Sequence, residues 1–287
     1  MKQSRTIKKI IHSKPTIEGA GVHLNRVFGF HETHLFDPFL LLDDFRSENP
    51  DLYLAGFPWH PHRGIETITY VINGRVEHGD SMGNKGVISA GDTQWMTAGS
   101  GIVHQEMPQG DPTGRMGGFQ LWANLPRTHK MMDPRYRDIK RDQVPEVKME
   151  NGVTVKIICG NLGKQKGPVR DVVIEPEYLD VTVPAGKEFS HETKRGHTVF
   201  AYVIGGAGQF DRENSGTIKN GSLCLYEDGD QCVITAEKEP LRFLLISGKP
   251  INEPVAWYGP IVMNTDEELE TAFEEYRNGT FLKHQKR

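Results

Sequence analysis

Two short stretches of this chain carry side chains that could do metal chemistry. The first is Trp59-His60-Pro61-His62-Arg63-Gly64-Ile65-Glu66, and the second, further along, is His104-Gln105-Glu106. In a β-strand, residues i and i+2 point to the same face. His60 with His62, and His104 with Glu106, would each aim a pair of donors the same way. If the two strands face each other inside a barrel, three imidazoles and one carboxylate meet at one site. That donor set suits a divalent first-row transition metal with room for outside ligands. Strand parity leaves Glu66 open as a rival carboxylate ligand. Isolated histidine pairs are common on surfaces, but two pairs in apolar, Gly-rich surroundings seldom coincide by accident. The remaining histidines (His12, His23, His31, His34, His78, His129, His191, His197 and His284) are isolated or differently spaced and are expected at surfaces or caps. Arg63 follows His62, points to the opposite strand face, and is expected in a structural ion pair.

Such a site needs strands to position it, and most of the chain reads as strand. Val22 to Phe28, Phe39 to Leu42, Ile65 to Ile72, Gly74 to His78, Val87 to Ile88, Asp92 to Met96 and Gly118 to Asn124 are mostly rich in β-branched or aromatic residues. Gly, Asn or Asp lies near most of their ends. Asn73-Gly74 is a hairpin signal, because both residues tolerate positive φ. This even punctuation predicts an all-β barrel or sandwich. One helix is expected near the C-terminus. It begins at Thr265-Asp266-Glu267-Glu268, a capped start with acids in the first turn, and Asn278-Gly279 ends it.

Composition bounds the rest. The chain has 287 residues, 37% hydrophobic and 25% charged, with a net charge of −4. That balance offers no global field for nucleic acid or an anionic membrane, so neither partner is expected. No apolar run approaches the ~20 residues that span a bilayer. The N-terminal Met1 to Ile11 lacks the long apolar core of a signal peptide and reads as a first strand. The three cysteines, Cys159, Cys224 and Cys232, are odd in number and form no C-x-x-C pair, so a reducing cytoplasm is expected.

The chain also repeats itself. Thr69-Tyr70-Val71-Ile72-Asn73-Gly74 matches Ala201-Tyr202-Val203-Ile204-Gly205-Gly206, Gly91-Asp92 matches Gly229-Asp230, and Ala55-Gly56 matches Ala185-Gly186. Two copies of one barrel are expected, at 1–133 and 144–287, joined by a polar linker at 134–143. In this register Glu192 falls against His60, Lys194 against His62 and Thr198 against Glu66. Nothing stands in for His104, so the second copy is expected to hold no metal.

At these residues the chain resembles a known family. Gly56 to Gly74, with His-x-His-x-x-x-Glu, resembles the first cupin motif, and Gly91 to His104 resembles the second. More narrowly, Phe57 to Thr67, Gly91 to Pro108, Phe119-Gln120-Leu121-Trp122, Leu41 to Phe45 and Glu253 to Pro260 resemble the pirin family. The resemblance implies two tandem jelly-roll-type cupin barrels. It implies one iron in the N-terminal barrel, held by His60, His62, His104 and Glu106. It also implies one of two roles: opening the ring of the flavonol quercetin with O2, or non-catalytic regulation through a protein partner, as a transcriptional co-regulator or a modulator of a metabolic enzyme.

Glu106 is preferred over Glu66 as the fourth ligand because it alternates directly with His104 and because the resemblance places it there. Glu66 would then orient a ligand from behind. Neutral imidazoles and one carboxylate leave Fe(II) with low net charge and open positions for an enol oxygen and O2, with Glu106 available to take the hydroxyl proton. Copper, nickel, manganese and cobalt fit the same donors almost as well. Phe57, Trp59, Trp95, Met96, Met107, Met116, Phe119 and Trp122 are candidates for an apolar wall around a flat aromatic substrate.

Overall fold

The computed structural model describes residues 2–213 and 216–284. Two compact units emerge. One comprises 14–141 with 251–287, and the other comprises 1–13 with 142–250. This differs from the expected division at 1–133, 134–143 and 144–287. Each terminal segment packs with the copy that is remote from it in sequence.

The unit that carries both histidine motifs pairs a seven-stranded antiparallel sheet with a four-stranded one. The first strand of the chain, Ile7–His12 (β1), belongs to the other unit. Here the strands are Lys14–Glu18 (β2), Val22–Phe28 (β3), Phe39–Asp44 (β4), Phe57–His62 (β5), Ile65–Asn73 (β6), Arg75–Asp80 (β7), Lys85–Ser89 (β8), Thr93–Thr97 (β9), Ile102–Gln109 (β10), Gly117–Asn124 (β11) and Arg135–Ile139 (β12). The large sheet runs β12-β9-β6-β11-β4-β3-β2, and the small one β5-β10-β7-β8. The predicted strands therefore exist, with two differences.

The first difference is at Asn73-Gly74, which closes no hairpin. Strand β6 lies in the large sheet and β7 in the small one. Gly74, at φ +71°, turns a corner between sheets, and a Cβ there would meet Gln109 O at 2.6 Å. The second is the polar stretch expected as a linker, half of which is β12, paired with β9 at the sheet edge. Its charges hid its alternation: Ile139 is buried, and Tyr136 stacks on His78 with ring centroids 5.0 Å apart.

Alternation also decides which side chains face the interior. On β6, Ile65 and Val71 turn inward and pack against residues of the small sheet, including Ile102 and Val76. Thr67 and Thr69 share that face by parity. The same face holds a row of polar residues in register across five strands: Arg26, Asp43, Gln120, Thr69 and Gln94. Two apolar clusters, one around Val71 and Val76 and one around Ile65 and Ile102, share this interior with the row.

The other unit repeats the plan, a seven-stranded sheet that includes β1 and a four-stranded sheet. Its interior differs. Twenty buried residues, among them Val155, Leu179, Phe189, Val203 and Phe243, form one continuous apolar cluster. Glu192 and Lys194 do not reach it. Both are exposed, and His191 takes the inward position, opposite Cys232. The ungapped register fails because the connection before the Tyr-Val-Ile strand is longer here: Arg63-Gly64 joins β5 to β6, whereas residues 193–197 do so in this copy. His191 is thus buried, not at a surface or cap, and faces Glu177 Oε2 at 3.2 Å.

The C-terminal helix, Asp266–Arg277, begins with the predicted cap, in which Thr265 and Glu268 bond reciprocally. It packs within the first unit. Arg63, fully buried, donates from Nη1 to Glu275 Oε2 at 2.8 Å, from Nη2 to Phe281 O and from Nε to Ser100 O. Arg63 is thus in the structural ion pair expected of it. The three cysteines are free and buried. Among the described residues no helix is long and apolar enough to cross a membrane.

Candidate metal centre

Strand β5 reads Phe57-Pro58-Trp59-His60-Pro61-His62. Two prolines remove two ladder donors, and a strand that lacks them is confined to a sheet edge. β5 is an edge strand of the small sheet, paired among the described residues only with β10. His104 lies directly opposite His60, and Ile102 opposite His62. The two motifs are therefore neighbours in one sheet rather than on facing strands. Cross-strand partners have Cβ atoms about 5 Å apart, which is what brings the rings together.

The three imidazoles converge. One ring nitrogen from each of His60, His62 and His104 lies within 4.8 Å of the others. His60 Nδ1 meets Pro58 O at 2.8 Å, and His62 Nδ1 meets Pro260 O at 3.0 Å. A carbonyl oxygen only accepts, so each Nδ1 carries a proton, and in the neutral ring Nε2 then presents a lone pair. Those two Nε2 atoms are 3.1 Å apart. Two lone pairs at that separation repel unless a cation lies between them. His104 is fully buried, and neither of its ring nitrogens has a partner among the described residues. Burial, then the neighbouring His60, holds His62 well below the ordinary histidine pKa despite the Pro260 carbonyl. Burial, then His62, His60 and His78, does the same to His104. Both are kept neutral, the form that ligates. These residues fit a divalent metal.

Glu106 is close by but outside that group. It is buried, opposite His78 on β7, and a bulge against the Pro58-Trp59 stretch separates it from the His60–His104 pair. Thr69 Oγ1 donates to its Oε1 at 3.0 Å, and Gln120 Nε2 donates to its Oε2 at 3.0 Å. Each oxygen keeps a further lone pair. Glu66 is on the other face of β6 from Thr69. Its Oε1 accepts from Thr97 Oγ1 at 2.6 Å, and burial raises its pKa. Parity thus separates the two carboxylates.

His78, expected at a surface or cap, is also buried. Its ring centroid is 5.5 Å from that of His104, and its Nε2 is 3.7 Å from Asp80 Oδ2. No spacing rule links it to the two motifs; only the pairing of β7 with β10 does. The Pro260 carbonyl on His62 was equally hidden, although Glu253 to Pro260 already stood out as a family-like stretch. Behind the site, Lys130 Nζ donates to Gly64 O, Asn124 Oδ1 and Val262 O at 2.7–3.0 Å. That ties the turn after His62 to the segment that carries Pro260.

His60 and His62 open onto a cavity of about 720 Å3. Phe30, Phe57, Trp122 and Trp257 supply aromatic wall, and Arg26, Asp43 and Glu18 supply charge. Of the expected wall residues, only Phe57 and Trp122 line it. Trp95, Met96, Met116 and Phe119 are buried in the core, Trp59 is half-exposed, and Met107 lies outside the cavity lining. The C-terminal segment contributes Trp257, Tyr258, Gly259 and Pro260 to this wall.

Comparison with known proteins adds an independent line. The Pirin family model matches residues 21–123, and the Pirin C-terminal cupin domain matches residues 178–282. The chain is similar to a Pseudomonas aeruginosa protein named "Putative quercetin 2,3-dioxygenase PA3240", at 41% identity over 97% of this chain and 99% of that protein. It is similar to a Caulobacter vibrioides "Pirin-like protein" at 42% identity, over 96% and 99%. Among solved structures it resembles a quercetin 2,3-dioxygenase from Acinetobacter baumannii, with a TM-score of 0.88 and 29% identity over 97% of this chain and 98% of that one.

Proposed function

The chain belongs to the pirin family and carries both of its cupin domains, and on that premise we propose that it is a metal-dependent dioxygenase that cleaves quercetin or a related enol-bearing aromatic with O2. The observation that supports the reading is the pair of Nε2 atoms 3.1 Å apart, on rings whose Nδ1 atoms are committed to carbonyl oxygens, beside His104, whose ring nitrogens have no partner among the described residues, at the wall of an aromatic-lined cavity. His60, His62 and His104 hold the metal in this proposal, Glu106 completes the set, and Fe(II) is the metal we assign. Three free buried cysteines support a cytoplasmic setting.

His60, His62 and His104 would hold a divalent metal, which would lower the pKa of an enol hydroxyl brought to it. The protein does the rest. Phe57, Trp122 and Trp257 offer flat apolar surface to the rings and keep water from the reacting end. Glu106 is the proton acceptor for the enol hydroxyl, at one of the lone pairs that Thr69 and Gln120 leave free. Those two donors hold the carboxylate in one orientation before substrate arrives.

The test is aerobic quercetin with iron-loaded protein, followed by loss of flavonol absorbance and by O2 uptake. We expect one O2 consumed per flavonol, well above the rate with equal free iron, and no such gain with His104→Ala. A rate equal to free iron would overturn the proposal. It would favour the alternative, a non-catalytic metal-binding regulator that acts through a protein partner.

A further inference from the structure

We propose that the cavity selects neutral, hydroxyl-rich planar aromatics and rejects anionic ones, through Glu18 and Asp43 held in place by Arg26. The proposal rests on the reading of this cavity as the substrate site and names the class of substrate it takes.

Arg26 donates from Nε to Asp43 Oδ1 at 2.9 Å and from Nη2 to Asp43 Oδ2 at 2.8 Å. Its Nη1 is 2.9 Å from Glu18 Oε1. All three residues line the cavity. One guanidinium against two carboxylates leaves a net negative charge, and it commits three of the arginine's five donors to the protein itself. Asp43 is almost fully buried, which pushes its pKa up to about 6, and both of its oxygens accept from Arg26, the pairing of an ionised carboxylate. Ionised carboxylates only accept hydrogen bonds. A phenolic hydroxyl entering this end finds acceptors. A carboxylate or sulfonate finds like charge.

The aromatic wall acts in the same direction. Ring faces carry negative potential, and Phe30, Trp257 and Trp122 form a run with centroids 5.6 and 5.8 Å apart. Among the residues lining the cavity, Arg26 is the only lysine or arginine. The cavity is therefore polarised. The side lined by His60 and His62 takes an enol oxygen, and the side lined by Glu18, Arg26 and Asp43 takes hydroxyl donors. Arg26 and Asp43 stand in register with Gln120, which clamps Glu106, so the specificity end and the reacting end share one row of the sheet.

The test compares two flavonols of equal bulk, quercetin with a sulfonate on its catechol ring and the corresponding uncharged sulfonamide. Binding is read by tryptophan quenching on metal-loaded protein under nitrogen, so that no turnover occurs. The wild type should bind the sulfonamide about ten-fold more tightly, the scale that one net charge produces in a partly desolvated site. Glu18→Gln, at a partly exposed position and checked by its melting curve, should cut that ratio to about three-fold or less by the same Coulomb argument. Asp43→Asn, checked by its melting curve, should narrow it further. A ratio near one in the wild type, a ratio unchanged by Glu18→Gln, or no binding of either flavonol would overturn the proposal. A wild type that shows the preference yet never turns over quercetin sinks the dioxygenase reading alone. Turnover without the preference sinks only this one.

Discussion

His62 shows how a single side chain serves the site. Its Nδ1 is committed to Pro260 O and its ring stands edge-on to Trp122, so only Nε2 is left for a metal. His62→Ala should therefore abolish metal-dependent stabilisation. In the wild type this should be about 3–4 kcal/mol at metal concentrations 100 to 1,000 times the dissociation constant. Melting with and without chelator checks it; a mutant that still gains stability from metal would remove His62 from the ligand set. The two carboxylates should part company in the same way. At matched metal occupancy, Glu106→Gln should abolish turnover, because charge and base are lost together. Glu66→Gln, on the other face of its strand, should leave turnover close to wild type, and a dead Glu66→Gln beside an active Glu106→Gln would reverse the assignment. Gln120→Ala should cost about 10–100-fold in metal affinity or turnover, the usual scale for a group that orients a ligand. His60, His62 and His104 were readable as residues because alternation is a local property. Thr69, Gln120, His78 and the Pro260 carbonyl were not, since each reaches the site through strand pairing that no spacing encodes.

At the scale of elements, the site depends on an edge strand and the turn that follows it. Pro58 and Pro61 keep β5 at the edge, and Gly64 makes the turn into β6 at φ +79°. A Cβ on Gly64 would lie 1.9 Å from Val262 O. Gly64→Ala should thus destabilise by about 3–5 kcal/mol, the tail reserved for backbone clashes and strained φ. Thermal melting measures it, and a loss below about 1 kcal/mol, within the ordinary range for substitutions, would mean the turn relaxes freely. The pairing of β3 with β4 supplies a pH signature. Asp43 has a folded pKa of about 6, raised by burial above its unfolded value. The native state therefore holds the proton more tightly, and stability falls as pH rises from about 4 to about 6 before levelling. The shift corresponds to about 3 kcal/mol. Asp43→Asn should remove that slope, and an unchanged urea-midpoint profile between pH 4 and 6 would show that Asp43 titrates normally. Strand positions were legible because period-two alternation and Gly punctuation are strong signals. The polar β12 was missed because Arg135, Arg137 and Asp138 mask a strand whose Tyr136 and Ile139 do the packing. The parity of Glu192 was missed because a longer connection shifts one copy against the other.

The whole molecule contains one fold plan used in two ways. In one unit a polar row crosses the interior, and a cavity opens beside His60 and His62. In the other, a continuous apolar cluster fills the same position. One metal per chain is therefore expected by elemental analysis, and two would mean that the apolar unit holds a site of its own. The repeat made this duplication legible, but not which terminal segment completes which copy, because that is settled by contacts between residues far apart in sequence. Strand β1 pairs with Ser222–Tyr226. The carboxylate of Asp37 accepts from the backbone N–H groups of Ile251 and Asn252, and Val103 packs with Ile261, Met263 and Phe281. These contacts predict opposite consequences for two deletions. Removing 251–287 takes away the Pro260 carbonyl, the partners of Arg63 and part of the cavity wall. Hydrogen exchange should then rise in β5, β6 and β10, while Thr198–Gly205 and Leu241–Gly248 stay protected. Removing 1–13 exposes Ser222–Tyr226 and should loosen that sheet, while metal binding at His60, His62 and His104 persists. If the longer deletion instead unprotects Thr198–Gly205 and leaves β5 intact, the C-terminal segment belongs with its sequence neighbours, and the cavity has a different wall.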